Sequence, residues 1–174
     1  MILFLTGPFG IGKTTTAKAL VARMPHAVLY DPEIIGTALQ ALVRSIDAVD
    51  DFQDLVLWRR LVVDVARLLT DTYGRSLVVP MTVWRHEYFT VITDGLRHID
   101  PALLCVRLTA SAEVLRQRIL ARSEEEGPHD WCLAHLDAGL RAARDPAFGV
   151  EIGTDQRTPS EVADAIMALL PQGA

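Results

Sequence analysis

The chain of 174 residues has the length of one domain built on a single core. Half of its residues are hydrophobic, 22% are charged and the formal net charge is −5, a balance that argues against a nucleic-acid coat or a polybasic membrane patch. Its two cysteines, Cys105 and Cys132, are too few for a disulfide framework and point to a reducing cytoplasm. No run approaches the ~20 apolar residues of a membrane span, and Ile2–Leu5 is too short for a signal peptide.

The first predicted element is a strand, Ile2–Thr6, continuously apolar as a strand covered on both faces would be. It runs into Gly7-Pro8-Phe9-Gly10-Ile11-Gly12-Lys13-Thr14, which fits G-x-x-x-x-G-K-[ST] in full, and a helical pattern, Lys13–Arg23, comes directly after it. Glycines let successive backbone N–H groups turn inward toward phosphate oxygens without interference from a Cβ. The helix start adds its own unpaired N–H groups and its positive dipole end. In that arrangement Lys13 reaches the β- and γ-phosphates of ATP and the Thr14 hydroxyl coordinates Mg²⁺, with Thr15 beside it in the first helical turn. A plain glycine-rich turn is the bland alternative, and pattern and context together outweigh it.

A second strand, Ala27–Tyr30, ends at Asp31, on the side where open α/β sheets bind ligands. Asp31 has two compatible roles: orienting an acceptor hydroxyl, and capping the helix Pro32–Ser45, since D-P-E starts a helix well. Glu33 offers a second carboxylate in the same turn. An ordinary carboxylate is a poor base for an alcohol, so orientation should dominate over proton abstraction. The helix Asp54–Thr72 is apolar on most sides, with Arg60, Asp64 and Arg67 on one stripe. Strand Ser76–Pro80 then leads through Met81 and Thr82 to the helix Arg85–Arg97. This strand lacks the terminal carboxylate of mechanical ATPases, and no guanine-reading N-K-x-D string occurs. Trp58 and Arg59, with Thr82, Trp84 and Arg85, are candidates to line an apolar acceptor pocket with a few polar contacts, although tryptophan is more often simply core. The segment PEIIGTALQALV has no basic residue before Arg44, which favours a neutral hydroxyl acceptor over a phosphate-bearing one.

Strand Leu103–Leu108 places Cys105 in the core, and Ser111 caps the helix Ser111–Ser123. Arg118 and Arg122, at i and i+4, are expected to project from one helical face, where one guanidinium can stack on adenine and the other can fork onto the transferring phosphoryl group. The competing reading is a solvated face paired with Glu124–Glu126. SEEEGPHDW reads as a mobile loop. His129, Cys132 and His135 have a spacing that could suit a metal, but no second cluster accompanies them, and a lid loop leading into a helix with Arg141 and Arg144 fits better. Strand Gly149–Gly153 and helix Pro159–Leu170, started by Thr158, close the pattern. The last helix has an apolar face but almost no basic residues, so peripheral membrane contact gains little support.

Strands alternating with helices imply an α/β domain with right-handed crossovers. The P-loop string, YDPEIIG, CVRLTASAEVLRQRILAR and GVEIGTDQRTPSEVADAI together resemble the small P-loop kinases, a group that includes nucleoside, shikimate, gluconate and chloramphenicol kinases, over nearly the whole chain. Within that group, GPFGIGKTT paired with YDPEIIG is most similar to the tunicamycin resistance proteins. The chain departs from adenylate kinases in lacking D-G-x-P-R after its third strand. The resemblance implies a three-layer sandwich whose five-stranded parallel sheet is ordered 2-3-1-4-5, with helices on both faces. It implies one domain over residues 1–174, acceptor-binding helices at 32–72 and a lid at 122–147. It also implies catalytic roles for Lys13, Asp31 and Arg122, and a base contact for Arg118. The implied activity is Mg-ATP-dependent phosphoryl transfer to a hydroxyl of a small molecule, such as the nucleoside antibiotic tunicamycin. Its rivals are a protein that sequesters such a drug without turnover, and a kinase of a nucleoside or sugar acid.

Overall fold

β1 (Ile2–Thr6), β2 (Ala27–Leu29), β3 (Ser76–Pro80), β4 (Leu104–Thr109) and β5 (Val150–Gly153) form one parallel sheet in the order β2-β3-β1-β4-β5. The computed structural model describes residues 1–123 and 128–170. Leu3 at the centre of the sheet pairs with Val78 on one side and Leu104 on the other. Sheet order and class agree with the expectation from sequence.

The unbroken apolar character of β1 reflects burial on both faces. Ile2 and Phe4 pack with Trp58 and Val62 of α3 (Val56–Tyr73) and with Ile92 and Leu96 of α4 (His86–Ile99). Leu3 and Leu5 point the other way, into a cluster with Leu20 of α1 (Lys13–Val21), Leu115 and Ile119 of α5 (Ala112–Ala121) and Ile166 of α8 (Pro159–Met167). Each such side chain contributes roughly 1.5–3 kcal/mol on burial, so the central strand is held from both sides. Strand order reverses around β1, and the crevice at its carboxyl end is where open α/β sheets bind ligands.

Capping chemistry sets several boundaries. Asp31 accepts from the Glu33 N–H at 3.0 Å and starts α2 (Pro32–Val43), with proline at the first position. Ser111 caps α5 through the Val114 N–H, and Thr158 with Glu161 forms a reciprocal capping box on α8. α3 begins at Val56 rather than Asp54, because Asp51 caps a separate short turn, Phe52–Asp54, and Leu55 is extended. The same kind of local decision ends α5 at Ala121: Arg122 has extended backbone, φ −82° and ψ 162°.

The segment expected to be a lid carries two helices, α6 (His129–Ala134) and α7 (Leu136–Arg144). Residues 124–127 of the expected loop, including Glu124–Glu126, lie outside the described residues. α7 lies directly on the P-loop, since a Cβ added at Gly139 would sit 3.1 Å from the Pro8 Cβ. Arg107, only 6% exposed, ties the far end of α7 to the sheet by donating to the carbonyls of Ala143 and Gly149 and to Glu151. Arg141 and Arg144 are exposed. Among the described residues, no helix is long and apolar enough to cross a membrane.

Trp58 is fully buried, its indole N–H donates to the Pro32 carbonyl at 3.0 Å, and its ring centroid lies 5.0 Å from that of Phe52. Trp58→Ala should therefore lower unfolding free energy by about 3 kcal/mol or more in urea titration, through lost burial, a cavity and a lost hydrogen bond.

Candidate active site

The loop between β1 and α1 is shaped by three glycines at positive φ: Gly7 at 150°, Gly10 at 75° and Gly12 at 93°. At Gly10 a Cβ would meet the Ile119 side chain at 2.9 Å, so α5 and the loop approach as only glycine allows. Gly12 opens α1 in the left-handed region, no side chain caps the helix, and nothing lies within 4 Å of where its Cβ would be. The first-turn N–H groups of a helix so begun are left for a ligand, and Thr14 and Thr15 in that turn are exposed.

Lys13 is 9% exposed, and its ammonium donates to the carbonyls of Gly7 and Pro8, both at 3.0 Å. Burial pulls its pKa down from 10.5 to about 8, while the Glu33 and Asp31 carboxylates push back and the Arg122 guanidinium adds to the fall. Glu33 is fixed by accepting the Thr82 N–H at 2.8 Å, and desolvation raises its pKa above the usual range, opposed chiefly by Lys13. Desolvation also raises Asp31, opposed by its hydrogen bond from the Glu33 N–H and by Lys13. The fold thus brings together Lys13, Asp31, Glu33, Thr82 and Arg122 from separate stretches of the chain. These residues fit a phosphate-bearing ligand and its cation: a bare helix start, an ammonium, and carboxylates facing it.

Arg118 and Arg122 do not share a face. Arg118 donates to the Thr154 hydroxyl at 3.0 Å and to its carbonyl at 2.8 Å. Arg122, beyond the helix end, instead reaches the Cys132 sulfur at 2.7 Å and the neighbourhood of Lys13. The i, i+4 expectation fails because α5 stops one residue before Arg122. Arg118 lines a cleft of about 190 Å³ beside Gly10, Ile11, Gly12 and Thr16, closed on its far side by Thr154, Arg157, Pro159 and Val162. Arg157 and Thr154 were not among the expected site residues, although both lie in the G-T-D-Q-R-T string after β5.

On the acceptor side the structure sorts the expected residues into different jobs. Trp58 is core rather than pocket wall, as its complete burial requires. Arg59 donates to the Gln53 carbonyl and lies 4.0 Å from the Tyr88 ring centroid. Arg85 pairs with Asp54 at 3.0 Å and lies 5.1 Å from the same ring. Trp84 alone of these faces the P-loop, 5.8 Å from Phe9 and stacked at 5.3 Å on His135, with Trp131 completing the group. Trp131 and His135 carry no motif of their own. His129 and His135 turn to the backbone carbonyls of Arg122 and Trp131, away from any shared point with Cys132.

A parallel 2-3-1-4-5 sheet with a glycine-rich loop feeding α1 defines a P-loop protein of the small-kinase kind. The chain belongs to the AAA domain family, whose model matches residues 2–146. It is 27% identical to the "Putative adenylate kinase" of Pyrococcus abyssi over 177 residues, covering 99% of this chain and 86% of that protein. Its fold is similar to the tunicamycin resistance protein of Deinococcus radiodurans, with a TM-score of 0.76 and 23% identity over 97% of this chain and 94% of the other. A sugar kinase from Janibacter sp. is also similar, with a TM-score of 0.69 and 20% identity over 96% of this chain and 92% of the other.

Between pH 8 and 10.5 the folded chain holds fewer protons on Lys13 than the unfolded chain, so the cost of burying its charge fades as pH rises through that window. Relative to Lys13→Met, the wild type should gain about 3 kcal/mol of stability from pH 7.5 to 10.5 in urea titrations; a pH-independent difference would contradict the assigned burial cost.

Proposed function

We propose that this protein binds Mg·ATP on the Gly7–Thr14 loop and transfers its terminal phosphoryl group to a hydroxyl of a small molecule in the cytoplasm. The observation that carries this reading is the convergence of the Lys13 ammonium, on the loop, with the Asp31 and Glu33 carboxylates from the end of β2. Mg·ATP supplies the phosphoryl group and, through the cation, part of the charge neutralisation. Lys13 exchanges its two loop carbonyls for phosphate oxygens, the α1 start offers backbone N–H groups, and Thr14 offers its hydroxyl to the cation. Arg122 brings a second positive charge to the same point, and Arg118 lies beside the nucleobase in the cleft. Asp31 and Glu33 orient the acceptor hydroxyl and can hold its proton, a role eased by the upward shift of both groups.

The acceptor we propose is a neutral, ring-bearing molecule, of which a nucleoside antibiotic such as tunicamycin is an example. α2 presents no basic side chain, and Trp84 provides a flat wall near the P-loop. The fold likeness to a tunicamycin resistance protein supports this choice. One observation favours ATP-dependent sequestration without turnover: Asp31 is already engaged as the N-cap of α2.

Lys13→Ala should weaken Mg·ATP binding at least about tenfold in calorimetry; unchanged affinity would refute the loop assignment. Asp31→Asn and Glu33→Gln should keep Mg·ATP binding, and at least one should lose about 10²- to 10⁴-fold in transfer. Mass spectrometry of tunicamycin, nucleosides and sugar acids incubated with protein and Mg·ATP tests the acceptor. One added phosphoryl group identifies it, and protection from tunicamycin without a mass change would establish sequestration instead.

A further inference from the structure

A small cavity adjoins the P-loop, walled by Thr6 at the end of β1, Thr82 just past β3, Arg107 of β4, and Gly139, Ala142 and Ala143 of α7. Thr6 and Thr82 are each 2% exposed, and among the described residues neither hydroxyl has a hydrogen-bond partner. The Thr82 hydroxyl lies near the Glu33 carboxylate and helps to hold its pKa down, but completes no bond to it. Arg107, the third polar wall, carries N–H groups beyond those it donates to Gly149, Ala143 and Glu151.

Size and lining decide what such a cavity can take. Its volume is about 10 Å³, room for about one water and far below the ~300 Å³ or more of a small-molecule pocket. Among the described residues no carboxylate lines it, so it offers a cation little. Cavities that stay dry are apolar, whereas this one holds two hydroxyls and a guanidinium, and a buried water needs only about two to four polar partners. Each hydroxyl can both donate and accept. Left without a partner, each would cost about tenfold or more in the folding equilibrium.

We propose that one ordered water is held in this cavity by the hydroxyls of Thr6 and Thr82, and that it braces the end of β3 against the strand that carries the P-loop. Thr82 is where the brace acts, since its N–H donates to the Glu33 carboxylate at 2.8 Å. One residue earlier, the Met81 N–H donates to the Leu5 carbonyl at 2.9 Å and ties β3 to β1 without the water. Thr6 is therefore a positioning residue that reaches Glu33 only through the water and Thr82.

A double-mutant cycle in urea tests the shared water, on wild type, Thr6→Val, Thr82→Val and the double variant, because valine keeps the shape and deletes the hydroxyl. Each single change should raise the unfolding equilibrium constant about tenfold by leaving the other hydroxyl a partner short, and the double should cost no more than the costlier single. Single changes that stabilise the fold would mean a dry cavity, and a double cost near about a hundredfold would mean two independent hydroxyls; either result overturns the proposal. A high-resolution crystal structure should show one water within about 3.2 Å of both Oγ1 atoms. No water there, or a water on one hydroxyl alone, overturns it equally. For the brace, amide hydrogen exchange of Thr6→Val should speed up at Thr82 about tenfold more than at Met81. Equal acceleration at the two amides would refute the brace.

Discussion

A buried ammonium, that of Lys13, is the group on which the rest of the site depends. Leaving water costs a cation several kcal/mol unless oxygens replace its hydration. Here two loop carbonyls do so directly, and Glu33 and Asp31 oppose the fall in pKa from across the crevice. The lysine is therefore held in a loop whose glycines have turned its carbonyls inward, next to a helix start that no side chain has closed. A polyanion at this point would be met by an ammonium, a guanidinium and backbone N–H groups, each already positioned.

The rigidity behind this arrangement comes from a sheet that is covered on both faces. β1 cannot shift without disturbing two hydrophobic clusters, so its carboxyl end delivers the loop to one place. β2 and β3 deliver Glu33 and Thr82 to the same place, where the Thr82 N–H donates to the Glu33 carboxylate. On the opposite side, Arg107 and the tight approach of Gly139 to Pro8 hold α7 against the loop. The segment that carries Trp131 and His135 over the P-loop is thus anchored at its far end, and Phe9, Trp84, Trp131 and His135 form an aromatic wall there.

Much of this was legible in the residues because it is local. The glycine pattern encodes a loop conformation, D-P-E and T-P-S-E encode helix starts, and continuous apolar runs encode doubly covered strands. Each depends on neighbours within a few positions. The departures have two origins: local backbone decisions that start α3 at Val56 and end α5 at Ala121, and contacts between segments the spacing rules do not join. Arg122 departs from the face of Arg118 because α5 ends at Ala121, and beyond that end Arg122 meets the Cys132 sulfur of α6. Trp58 had competing readings as pocket and core, and burial against Phe52 and Pro32 decided for core. Arg59 of α3 joins Arg85 on the Tyr88 ring of α4, a contact between two helices that no spacing rule gives, while Arg85 itself meets Tyr88 at i, i+3.

The sequence by itself determined the fold class, the strand that carries the P-loop, the glycines and lysine of that loop, and the carboxylates after β2, since all of these arise from short-range pattern and backbone stereochemistry. Only the tertiary structure decided that Glu33 accepts the Thr82 N–H, where Arg118 and Arg122 go, that Thr154 lines the cleft beside the P-loop, and that Trp84 stacks on His135. Those outcomes depend on desolvation and on hydrogen-bond partners far apart in the chain, 49 residues for Glu33 and Thr82 and 36 for Arg118 and Thr154. Such energies exist only once the chain has packed.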